Sequence, residues 1–139
     1  MSHTHRPSRW SAIALAGAML VALVACSAGA SATGTQGTCA QADAAHVIAI
    51  SAKDLKFSVS CMQAPAGTAF KVRLTNNDGS PHDVAIYRDA GFSDAIVKGD
   101  PFAGPGVTKD LDVPALSAGT YYFNCIIHPA DMKGTLVIR

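Results

Sequence analysis

The amino-acid sequence predicts an all-β fold, an antiparallel Greek-key β-sandwich of about seven to eight strands. Apolar residues recur with a period of two, which is the period of a half-buried strand. Clusters of Gly, Pro, Asn and Asp end these runs after a few residues, as the turns between short strands require. This pattern extends over residues 39–139 and does not favour a helical domain.

The clearest predicted strand covers residues 69–76, where Phe70, Val72 and Leu74 alternate with charged or polar residues. Between the later strands, residues 92–98 favour one or two helical turns, and Gly and Pro predict loops after them. The remaining predicted strands lie at residues 46–52, 56–61, 84–87, 108–113, 120–125 and 134–138.

The N-terminus has the features of a bacterial lipoprotein signal. Arg6 and Arg9 form a basic region, and the apolar segment at 13–25 is too short to span a bilayer comfortably. The Leu-Val-Ala-Cys sequence that ends at Cys26 resembles a lipobox, which predicts cleavage before Cys26 and a diacylglycerol on its thiol. The alternative is an ordinary signal peptide cut within 25–32, with Cys26 incidental. Both interpretations place the mature chain outside the cytoplasm.

These features divide the chain into three parts. Residues 1–25 are the predicted signal peptide, residues 26–38 are the lipidated cysteine and a flexible tether to the cell membrane, and residues 39–139 are the folded domain. The whole chain has a net charge of +1, which falls to −1 when Arg6 and Arg9 are removed. The chain has no stripe of basic residues that would suggest a nucleic-acid surface. We expect the protein to be a monomer.

Two of the four cysteines, Cys39 and Cys61, are expected to form a disulfide in an oxidising compartment. Closing a loop of this length would stabilise the domain by about 3 kcal/mol in the chain-entropy model. The alternative is a pair of unpaired buried thiols. Pairing of Cys39 with Cys61 leaves Cys125 free to bind a metal.

A candidate metal site lies near the C-terminus. An aromatic-rich strand delivers Cys125, and His128 and Met132 follow on a short loop. A second imidazole, His82, comes from the turn-rich segment 76–84. Thiolate, imidazole and thioether select copper over magnesium or calcium, and two His, one Cys and a weak axial Met are the ligand set of blue-copper sites.

Each of these residues alone has an ordinary structural interpretation, because buried Cys and Met are common core residues. Their combination is more informative. After removal of the signal peptide the chain has three His and two Met, of which only His46 and Met62 lie outside the motif. We interpret those two as structural. Tyr122 and Asn124 face away from Cys125 on the predicted strand and are expected to be surface or inter-strand residues.

From about residue 46 to its end the chain resembles a cupredoxin of the plastocyanin/amicyanin type. The resemblance is carried by residues 76–84 and 121–134, and it extends to residues 65–68 and 113–121. It implies a cupredoxin-like fold and one-electron transfer by a single copper ion that alternates between Cu(I) and Cu(II). It implies His82, Cys125 and His128 as equatorial ligands, Met132 as the axial ligand, and an electron port near His128.

Two residues depart from the pattern of these families. Three residues separate His128 from Met132, where plastocyanins have four and amicyanins two. Asp83 follows the first histidine, where plastocyanins have Asn. An Asp side chain accepts hydrogen bonds but, when ionised, donates none. We expect its negative charge to favour Cu(II) and lower the reduction potential, which comparison with Asp83→Asn would test.

Other functions remain open from the sequence. A copper chaperone or storage protein of the cell envelope would keep the metal but usually has exposed Met- and His-rich tracts. An enzyme could use Cys125 and His128 as nucleophile and base, and an adhesion-type sandwich would need no metal. If the protein carries electrons, we expect redox partners to dock briefly near His128, where Pro129, an adjacent Ile and the loop 102–106 add apolar surface.

Overall fold

The computed structural model describes residues 38–139. The predicted signal peptide, the lipidation of Cys26 and nearly all of the tether lie outside these residues. Within residues 38–139 no helix is long and apolar enough to cross a membrane. The strands of the described chain are β1 Ala40–Gln41, β2 Val47–Lys53, β3 Lys56–Phe57, β4 Cys61–Ala64, β5 Phe70–Asn76, β6 Ala85–Tyr87, β7 Ala95–Lys98, β8 Val107–Val113, β9 Gly119–Asn124 and β10 Lys133–Ile138.

The ten described strands form two sheets. One sheet has the order β1-β4-β10-β9-β6-β7, and the other has the order β3-β2-β5-β8. Most neighbours are antiparallel, while β1 with β4, β4 with β10 and β2 with β5 are parallel. The predicted all-β sandwich is confirmed, and the strands beyond the predicted number are short segments at or near the sheet edges.

The core lies between the two sheets, as the period-two pattern predicted. Strand β5 buries alternate side chains, with its lysine and arginine directed toward water. Phe123 of β9 is fully buried and packs against Phe57 with ring centroids 5.5 Å apart. Other fully buried apolar side chains are Ile48, Met62, Val72, Ile86, Met132 and Leu136.

Cys39 and Cys61 form the predicted disulfide, with Cα atoms 4.5 Å apart. The bond connects the segment before β1 to the first residue of β4. Because β4 also pairs with β10, the disulfide fastens the N-terminal end of the domain to the C-terminal strand.

Two predictions about individual elements are wrong. Residues 92–98 form no helical turn, because Ala95–Lys98 pairs as β7 with β6 at the open edge of the six-stranded sheet. Residues 56–61 are not one strand, because the chain crosses between the sheets at Ser58–Ser60. Lys56–Phe57 pairs with β2, whereas Cys61–Ala64 pairs with β10 in the opposite sheet.

Strand pairing brings two distant loops to one end of the sandwich. Strand β9 ends at Asn124 opposite Lys133, the first residue of β10, so the intervening loop projects from that end. Ala85, the first residue of β6, also pairs with Asn124. The segment that precedes β6 therefore lies beside the loop that follows β9.

Candidate metal centre

His82 is held in the segment between β5 and β6, and its side chain is fully buried. Its backbone exchanges two hydrogen bonds with Phe102, at N···O distances of 3.1 and 3.0 Å. The side-chain amide of Asn76 donates to the carbonyl oxygens of Ser80 at 2.8 Å and Phe102 at 2.7 Å. The loop containing Phe102 thus lies against His82, as the sequence indicated, and fixes its position.

The two nitrogens of the His82 ring have different neighbours. Nε2 lies 2.8 Å from Oδ2 of Asp78, while Nδ1 lies 4.0 Å from Sγ of Cys125. A carboxylate accepts hydrogen bonds, so Nε2 carries the proton and Nδ1 presents its lone pair toward the sulfur. The hydrogen bond from His82 is also the main reason that the pKa of Asp78 lies below its ordinary value.

Cys125 follows the last residue of β9 and is fully buried. Its backbone N–H donates to the carbonyl oxygen of Met132 at 2.9 Å, and its own carbonyl oxygen accepts from the N–H of His128 at 3.2 Å. The N–H of Met132 donates to the carbonyl oxygen of His128 at 3.0 Å. These bonds close residues 125–132, the ligand loop, into a compact turn.

The three predicted equatorial ligands come together. Sγ of Cys125 lies 3.6 Å from Nδ1 of His128 and 4.0 Å from Nδ1 of His82, and the ligand atoms of the three residues all lie within 4.8 Å of one another. Two donors bound to one ion at about 2.0–2.3 Å would be about 3.5–3.8 Å apart. The cluster therefore has the dimensions of a site for a single ion, and the donor set suits copper.

Met132 lies on the ligand loop and is fully buried. Its backbone contacts with Cys125 and His128 keep it beside both residues along the chain. Its role as axial ligand stays a prediction.

Asp83 connects the two ligand-bearing segments. Its Oδ1 accepts from the backbone N–H of Ile126 at 2.8 Å, while Oδ2 has no hydrogen-bond partner among the described residues. Burial raises the pKa of the Cys125 thiol, and the Asp83 side chain raises it further. A metal ion bound by this sulfur must therefore displace its proton.

Sequence reasoning missed one residue near the site. Asp78 is one of several polar residues in the turn-rich segment 76–84, and its four-residue spacing from His82 predicts no contact outside a helix. Asn124, expected at the surface or between strands, is buried and pairs with Ala85 of β6 on one side and Lys133 of β10 on the other. Tyr122 is partly buried.

The protein is a two-sheet β-sandwich with one thiol and two imidazoles together at one end, which is the arrangement expected of a cupredoxin. The chain matches the model of the cupredoxin-like domain over residues 16–138 and belongs to that family. No curated protein matches it.

Solved structures share the fold. A dithionite-reduced auracyanin from Roseiflexus castenholzii superposes with a TM-score of 0.60 at 20% identity, covering 70% of this chain and 99% of that one. Auracyanin A of Chloroflexus aurantiacus, described as a "blue" copper protein, gives 0.57 at 22% identity, covering 67% and 98%. Amicyanin from Paracoccus versutus gives 0.50 at 22% identity, covering 66% and 79%.

Proposed function

We propose that this protein is an extracytoplasmic type 1 copper protein that carries single electrons between redox partners. The observation that carries the proposal is the cluster of the Cys125 thiol with the Nδ1 atoms of His82 and His128, whose spacing suits one ion. A bound copper ion supplies the Cu(I)/Cu(II) couple, which takes up and releases one electron. His82, Cys125 and His128 would hold it, with Met132 as the axial donor.

The residues around the cluster suit electron transfer better than the alternatives. Phe102, Asn76 and Asp78 fix His82, and Asp83 fixes the start of the ligand loop. Fixed donors keep their positions in both oxidation states, so little rearrangement opposes the gain or loss of an electron.

The same burial argues against the competing functions. Complete burial of Cys125 keeps substrates from its sulfur, which disfavours a thiol enzyme. His82 is also fully enclosed, which favours a retained metal over the rapid metal transfer of a chaperone.

A Cu(II) titration of the purified protein tests the proposal. We expect an intense thiolate-to-copper charge-transfer band that saturates at one copper per chain. Cys125→Ser should abolish the band. The matched control is the double variant Cys39→Ser/Cys61→Ser, which removes the disulfide sulfurs, keeps Cys125 and should remain coloured. A colourless wild-type protein, or colour that survives Cys125→Ser, would contradict the proposal.

We also propose that the protein acts outside the cytoplasm as a monomer anchored to the membrane through Cys26. The lipobox-like sequence and the Cys39–Cys61 disulfide support this location, because disulfides persist in oxidising compartments. Mass spectrometry of the protein from membranes should show an N-terminal Cys26 with attached diacylglycerol. Release of wild type into the soluble fraction at the level of Cys26→Ser would overturn the anchor.

We propose that redox partners dock on the surface around His128. Ile126 and Ile127 are 41% and 45% exposed, and Pro129 is also exposed. Such a patch suits the small interfaces of transient electron-transfer complexes. Pro129→Glu should slow reduction of the copper protein by a reduced c-type cytochrome, relative to Pro114→Glu on the exposed loop before β9. Equal rates for the two variants would rule out docking here.

A further inference from the structure

The side chain of Asp78 lies between the buried imidazole of His82 and the protein surface. Its Oδ2 atom is 2.8 Å from Nε2 of His82, on the side of the ring opposite the metal-facing Nδ1. The Asp78 side chain is 18% exposed, whereas the His82 side chain is completely enclosed. The contact therefore differs from an exposed surface ion pair, which water and salt screen.

Asp78 is itself held in place by two hydrogen bonds of its backbone. Its backbone N–H donates to Oδ1 of Asn76 at 2.8 Å, and its carbonyl oxygen accepts from the N–H of Gly104 at 2.9 Å. The backbone of Asp54 and Leu55, in the turn between β2 and β3, also helps to lower the pKa of its carboxyl group. Both turn residues have positive φ angles, of 52° and 56°. A carboxylate fixed in this way can determine the orientation of the ring that it contacts.

We propose that Asp78 is a positioning residue for the metal centre, which orients His82 by accepting the proton of Nε2. This inference rests on the proposed copper site. By keeping the proton on Nε2, the carboxylate keeps the Nδ1 lone pair available to the metal. Its negative charge also makes the imidazole a stronger electron donor, which stabilises Cu(II) more than Cu(I).

Two substitutions separate the hydrogen bond from the charge. Asp78→Ala removes the acceptor, and we expect it to weaken Cu(II) binding by about 10–100-fold in competition with a chelator. Asp78→Asn retains an acceptor oxygen without the charge, so it should weaken binding less than Asp78→Ala. Both variants should have a higher reduction potential than wild type, because Cu(II) loses more stabilisation than Cu(I). If Asp78→Ala does not fold, Asp78→Asn still tests the charge effect.

The matched control is Asp112→Asn, which removes one exposed negative charge at the end of β8 that pairs with Lys71, away from the ligand loop. It should retain the affinity and the potential of wild type. A second readout is independent of copper: in the Zn(II)-loaded protein, NMR should show a slowly exchanging Nε2 proton of His82. This resonance should exchange fast in Asp78→Ala and persist in Asp112→Asn.

The outcomes distinguish this proposal from the proposed function. Asp78 variants that match wild type in affinity, potential and Nε2 proton exchange, while wild type binds copper with the expected colour, would overturn the positioning role and leave the copper site standing. A wild-type protein that binds no copper would overturn both proposals.

Discussion

The two histidines of the metal centre occupy contrasting surroundings. His82 is fully buried, and its segment is cross-linked by side-chain and backbone bonds to Asn76, Asp78 and Phe102. His128 is only partly buried and lies between the exposed residues Ile127 and Pro129. One imidazole is thus fixed by the interior of the domain, while the other is within reach of solvent.

This contrast suggests that the two histidines have different roles in the site. Bonds between separate segments fix His82, so its position depends on the whole sandwich. Backbone bonds within residues 125–132 shape the ligand loop around His128, with Asp83 supplying a bond to Ile126 from outside. The His82 side provides rigidity and the His128 side provides access, and each half can be altered separately.

The largest effect is expected from Gly104→Ala, a substitution in the loop that holds the His82 segment in place. A Cβ at residue 104 would overlap the carbonyl oxygen of Asn76 and lie 2.8 Å from that of Asp78. Backbone atoms cannot move aside as the end of a flexible side chain can, so we expect the free energy of unfolding to fall by about 3 kcal/mol. Urea unfolding measures this loss, and the copper colour should change with it.

Gly79→Ala is the control within the same segment. A Cβ at residue 79 would meet no atom within 4 Å, and the stability should stay within about 0.5 kcal/mol of wild type. If Gly104→Ala were as stable as Gly79→Ala, the segment around His82 would be more compliant than its bonds indicate.

The second test compares two variants, each of which lacks one of the two imidazoles. We expect added imidazole to restore the colour of copper-loaded His128→Gly, because a small molecule can enter from the exposed side. Added imidazole should fail to restore the colour of His82→Gly, because the space left by the His82 side chain is enclosed. His82→Gly should also lower the free energy of unfolding by about 2 kcal/mol, since it leaves a cavity and deprives Asp78 of its partner.

Absorbance titrations with imidazole measure the recovery of colour, and urea unfolding measures the loss of stability. Equal recovery in both variants would show that the buried and exposed positions are equally accessible, which would contradict the contrast between the two sides.

Much of this site could be predicted from the sequence, because the signals are local or chemically specific. The alternation in residues 69–76 predicted β5, and the close spacing of Cys125 and His128 placed both on one loop. Donor chemistry then selected His82 from a distant segment, since few histidines were available. The Cys39–Cys61 disulfide followed from the oxidising compartment and the assignment of the other cysteines.

The missed features depend on contacts between segments that lie far apart in the chain. Residues 56–61 alternate like one strand. Their first two residues, however, pair with β2, while Cys61 begins a strand that pairs with β10 in the opposite sheet. Ala95–Lys98 became a strand because β6 offered a free edge. Asp78 required knowledge of which ring nitrogen of His82 faces away from Cys125, and sequence periodicity contains no such information.

The smallest expected effect concerns a loop away from the metal centre that is also braced by a carboxylate. Asp89 accepts from the backbone N–H groups of Gly91, Ser93 and Asp94 at 2.9, 3.0 and 2.7 Å. The bond from Asp94 is the main reason that the pKa of Asp89 lies below its ordinary value. Asp89 therefore binds protons less readily in the folded than in the unfolded chain.

It follows that this contribution to stability is present above the ordinary carboxyl pKa of about 4 and is lost as the pH falls through the lower folded value. In Asp89→Asn the metal-free protein should lose less stability between pH 5 and 2 than wild type does, which thermal unfolding at several pH values measures. The copper colour at pH 7 should be unchanged. Parallel stability curves would mean that Asp89 adds no acid sensitivity. A change in colour would mean that this loop helps to fix the His82 side of the metal site. The difference in rigidity between the two histidines would then depend on residues that contact neither of them.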